Sequence, residues 1–94
     1  MNEENALVVF QDKKIRRAWH NNEWHFSVTD VIAALTDSSN PRNYWSMLKN
    51  RELEHGIELS TFCVQLKLQS PDGKYYETDC ANTKSLFRLI QSVP

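Results

Sequence analysis

Ninety-four residues, 40% of them apolar, make one small domain with a modest core. Eleven basic against twelve acidic residues leave a net charge of -1, which excludes the strongly basic, sequence-independent nucleic-acid binders but allows a local basic face. No apolar run reaches the ~18–20 residues of a membrane span, and no secretory signal opens the chain, so a cytoplasmic protein is expected.

Residues 1–5 are polar and are expected to form a flexible N-terminus ahead of a domain over 6–94. Ala6–Phe10 reads as a strand, Gln11-Asp12-Lys13 as a turn and Lys14–His20 as a second strand. Asn21-Asn22 is a two-residue hairpin turn that returns the chain through Trp24–Phe26. Ser27 can cap a helix, with Asp30 at the capping-box position in place of Glu. Val28, Val31, Ile32 and Leu35 follow at i, i+3, i+4 and i+7, one apolar helical stripe. Asp37-Ser38-Ser39-Asn40 ends that helix. Asn40 and Pro41 then cap and start another, with Tyr44, Trp45 and Leu48 inside and Gly56 near its C-terminal end.

Phe62–Gln69 alternates like a half-buried strand, and Ser70-Pro71-Asp72-Gly73-Lys74 predicts a type I turn with a glycine bulge into Tyr75–Ala81. The bulge pairs Ser70 with Lys74. It thereby sets Lys67 opposite Glu77 and Gln65 opposite Asp79 on a polar face. Val64, Leu66 and Leu68 then oppose Cys80, Thr78 and Tyr76 on the face turned to the core. Cys63 and Cys80 fall on different sides of this hairpin and are expected to stay free thiols. Asn82 caps a last helix, with Leu86, Phe87, Ile90 and Val93 directed inward. The expected fold class is α+β, a small single domain with two β-hairpins and about three short helices.

Three constellations bear on function. Val28–Leu35 and Pro41–Arg51 form a helix–turn–helix candidate whose second helix would expose Arg42, Asn43, Ser46 and Lys49. Arg and Asn pair with guanine and adenine edges in the major groove. The same segment also reads as two packed helices with an ordinary polar face. Lys13, Lys14, Arg16 and Arg17 cluster on the first hairpin, where Arg16 and Arg17 could hold phosphates or simply guard an edge strand. Trp19, Trp24 and Trp45 could stack on bases, but Trp19 and Trp24 face each other across the turn, which reads as structural. Cys63, Cys80, His20, His25 and His55 make no metal-ligand pattern, and no phosphate loop or activated nucleophile is evident. Neither an enzyme nor a cofactor is expected.

Trp19–Phe26, Ser27–Leu35 and Asn40–Trp45 resemble the N-terminal domain of the BRO family. So do the later blocks Glu58–Thr61, Leu66–Leu68, Pro71–Lys74, Glu77–Asp79 and Asn82-Thr83. The resemblance covers most of residues 6–94 and points to the prophage branch, which includes antirepressors and DNA-damage-inducible protein D. It implies a DNA-binding, transcription-regulating domain, with duplex DNA or a repressor protein as partner and no membrane. The chain stops at Pro94 just past an amphipathic segment, and so reads as the N-terminal part of a longer protein. Homo-oligomerisation is left open.

Overall fold

The computed structural model describes residues 7–10 and 13–94. The expectations for residues 1–6 and for Gln11 and Asp12 lie outside the described residues. Five strands form one antiparallel sheet: β1 Leu7–Phe10, β2 Lys13–His20, β3 Glu23–Ser27, β4 Val64–Gln69 and β5 Tyr75–Asn82. Their order in space is β1-β2-β3-β5-β4. Helices α1 (Val28–Thr36), α2 (Pro41–Glu54) and α3 (Thr83–Gln91) complete an α+β domain.

The turns follow from local chemistry. Asn21 and Asn22 both take positive φ, 53° and 64°, the signature of a type I′ turn, which matches the twist of the strands it joins. Trp19 and Trp24 pair across it with ring centroids 5.2 Å apart, edge to face. At the other hairpin Gly73 has φ +86° and donates to the Ser70 carbonyl, while Ser70 N donates to the Lys74 carbonyl. That bulge fixes the predicted register, from Val64 opposite Cys80 to Gln69 opposite Tyr75. One turn of 3-10 helix, Leu59–Phe62, precedes β4 and takes Phe62, so the strand starts at Val64 and not at Phe62 as predicted.

Each of α1, α2 and α3 has a side-chain cap: Ser27 accepts from Asp30 N, Asn40 from Asn43 N and Asn82 from Ser85 N. The capping box at α1 is only half formed, because the Asp30 carboxylate turns to Arg16 instead. Gly56 (φ +81°) closes α2, with Ile57 N bonded to the Glu52 carbonyl and Gly56 N to the Leu53 carbonyl.

Val28 and Ile32 of α1, Trp45 and Leu48 of α2, Leu59, Ala81 of β5 and Leu89 of α3 form the main core. A second cluster joins Ile15 of β2 to Val31 and Ala34. Two expected core positions are corrected. Phe87 is 64% exposed and Leu89 takes its place, because the stripe Leu86–Leu89–Ile90–Val93 leaves Phe87 about 100° round the helix from Leu86. Leu35 is also exposed, and Ala34 is the buried residue of that turn.

The hairpin faces are corrected too. On the row expected to face water Gln65, Lys67 and Glu77 are exposed, but at its far end Asp79 bonds Trp45 of α2 and Ala81 sits in the main core, so that end is turned toward the helices. On the other row Leu68 and Cys80 are buried, while Val64 and Tyr76 are exposed.

Candidate nucleic-acid interface

Between α2 and the β4–β5 hairpin lies an open groove of about 870 Å³. Arg42, Ser46 and Lys49, spaced one turn apart, line the helix wall, and Asp72, Glu77 and Asp79 line the hairpin wall. Arg42, Asn43 and Ser46 are exposed on the first two turns of α2. Arg42 has no ion-pair partner among the described residues. Asn43 stands outside the groove, its Nδ2 3.7 Å from Met47 Sδ.

Lys49 is held differently. Its ammonium lies 3.6 Å from Asp79 Oδ2 and 5.1 Å from the Trp45 ring centroid. Asp79 also accepts from Trp45 Nε1 at 2.8 Å and from Gln65 Nε2 at 3.1 Å. Burial pushes this carboxyl up, but the hydrogen bonds from Trp45 and Gln65, with the Lys49 charge, outweigh it and hold it below its ordinary range. A buried indole N–H needs an acceptor, and Asp79 supplies it; this anchor was missed in the sequence. The available signal was an acidic residue on the strand row facing a tryptophan helix.

Arg16 is a strut of the fold. Its Nε and Nη2 donate to the two Asp30 oxygens at 2.8 and 3.0 Å, its backbone N donates to Asp30 Oδ2 at 2.9 Å, and Nη1 donates to the Gln69 carbonyl at 3.2 Å. This guanidinium ties β2 to α1 and to the end of β4. The Asp30 hydrogen bond holds its proton more firmly still, against the opposing effect of burial. Arg17 is stacked 3.8 Å over Trp24. Neighbours on a strand point to opposite faces, so Arg16 and Arg17 cannot grip one phosphate together.

At the hairpin tip the Tyr76 hydroxyl donates to Asp72 Oδ2 at 2.6 Å and Lys74 N donates to Oδ1 at 2.9 Å. The Tyr76 bond, then that of Lys74, draws the Asp72 carboxyl below its ordinary range. Lys67 stands opposite Glu77 as the register predicts, but no Lys67–Glu77 ion pair forms among the described residues. Lys67 and Lys74 are exposed on the β4–β5 hairpin.

Among the described residues no His, Cys, Asp and Glu side chains gather as a metal site. No helix there is long and apolar enough to cross a membrane. Cys63 and Cys80 are free, and burial pushes both thiols up, to about 12 and about 11. Comparison with protein-family models, with curated proteins and with solved structures finds no significant match for this chain.

Proposed function

We propose that this chain is a BRO-type N-terminal domain acting as the DNA-binding regulatory domain of a phage-derived, antirepressor-type transcription regulator. The carrying observation is the start of α2. After a four-residue turn, a helix capped by Asn40 presents Arg42, Asn43 and Ser46 to solvent, and Arg42 has no ion-pair partner among the described residues. The N-terminal residues of a recognition helix are the ones that meet base edges. Lys67 and Lys74, on the hairpin beside α2, supply phosphate contacts.

A mobility-shift titration against mixed duplex at two salt concentrations tests this. With Arg42, Lys67 and Lys74 as the cations, log K should fall against log salt with a slope of about -2 to -3. Absence of any shift at low salt overturns the reading.

The second reading is a protein-interaction module that binds a repressor without touching DNA. The balanced walls of the groove favour it: Arg16, Arg42 and Lys49 are matched by Asp72, Glu77 and Asp79. Such a groove repels phosphate along its acidic wall and suits a polypeptide carrying both signs of charge.

A further inference from the structure

We propose that Asp79 withholds Lys49 from DNA, so that a cation on the helix wall of the groove makes no phosphate contact in the wild-type protein. The inference rests on the DNA-binding reading and adds an internal competitor to it. Three donors converge on the Asp79 carboxylate: Trp45 Nε1 at 2.8 Å, Gln65 Nε2 at 3.1 Å and Lys49 Nζ at 3.6 Å. The first two have hydrogen-bond distances. The third is the loosest of the set, an ion pair and not a short hydrogen bond. Trp45 is buried in the main core, which fixes the indole and, through it, the carboxylate. Asp79 therefore cannot follow Lys49 outward, whereas the flexible lysine stem can swing toward or away from it.

The carboxylate thus occupies, from within the fold, the position at which a phosphate oxygen would meet this lysine. Trp45 Nε1 and Gln65 Nε2 keep Asp79 satisfied whether or not Lys49 is present. The arrangement lowers sequence-independent attraction to the DNA backbone and leaves discrimination to Arg42, at the N-terminal end of the same groove wall, and to Asn43 outside the groove.

The test compares Lys49→Met, Asp79→Asn and the double variant with wild type, using an NMR titration of the Asp79 carboxyl and salt-dependent binding to mixed duplex. In Lys49→Met the Asp79 titration should move to higher pH, while the salt slope stays at the wild-type value. In Asp79→Asn the freed lysine should add one phosphate contact: the affinity lost between about 50 and 200 mM salt should grow by roughly threefold. Adding Lys49→Met to Asp79→Asn should restore the wild-type slope.

A shallower slope in Lys49→Met alone, or an Asp79 titration unmoved by it, overturns the proposal even if Asp79→Asn does not fold. If neither wild type nor any variant shifts duplex at low salt, the DNA reading falls and the proposal falls with it. That outcome is distinct from wild-type binding with the Lys49 results reversed.

Discussion

The Asp79 carboxyl is held below its ordinary range, and the sign of the resulting pH dependence is fixed. A carboxyl with a lower pKa folded than unfolded stabilises the fold above its unfolded value, about 3.9, and loses that contribution as pH falls through the folded value. Urea unfolding of Asp79→Asn should therefore show a weaker loss of stability below about pH 4 than wild type does. Equal acid sensitivity would mean that Asp79 does not hold this charge. The thiols give a second check at this scale. With both pushed well above neutrality by burial, Cys63 and Cys80 should be alkylated slowly at about pH 8 in the native protein and fast in urea. Arg42 was legible as an exposed helix residue because its exposure follows from helical spacing alone. The states of Lys49 and Asp79 were not, because each depends on a partner in a distant segment.

The Arg16–Asp30 pair joins strand to helix and is half buried, with side-chain exposures of 25% and 18%. Removing either partner leaves the other uncompensated, so Arg16→Ala should destabilise by roughly 2–4 kcal/mol in urea unfolding. Its salt slope on DNA should stay unchanged, which separates a strut from a phosphate contact. Arg16→Lys should recover little, since an ammonium cannot make the two-pronged contact. The Asn21-Asn22 turn gives a prediction of opposite sign: Asn22→Gly should stabilise by about 0.5 kcal/mol, because glycine takes positive φ without a Cβ penalty. Both hairpin turns, the three caps and the β4–β5 register were legible in the sequence, since each rests on residues within a few positions of one another. Which face of that hairpin meets the helices was not. Alternation marks two faces but does not say what covers either, and here α2 covers the row with Asp79, placing a charge against the core side.

At the scale of the molecule, a net charge near zero is resolved into local pairs: Lys13 with Asp37, Arg16 with Asp30 and Lys49 with Asp79. The cations left near α2 are few, so binding should be modest in affinity and shallow in salt dependence. Arg42→Ala should cost about 1–3 kcal/mol on a specific site and less on random duplex, measured by competition titration. The fold class was legible because the hairpins and helices are each local. The joining of β3 to β5 was not, because it links segments on either side of both α1 and α2. That joint also bears on how the chain folds. Hairpins close within microseconds, whereas bringing Ser27 beside Cys80 closes a long loop and carries the largest single loop-closure cost among the strand pairings. Until it closes, Trp45 has no Asp79 to meet. With Trp19 and Trp24 replaced by Phe, its fluorescence in stopped-flow refolding should therefore report a late step of assembly. Ala81→Gly, which weakens the joint, should slow that phase more than Asn22→Ala at the hairpin tip does.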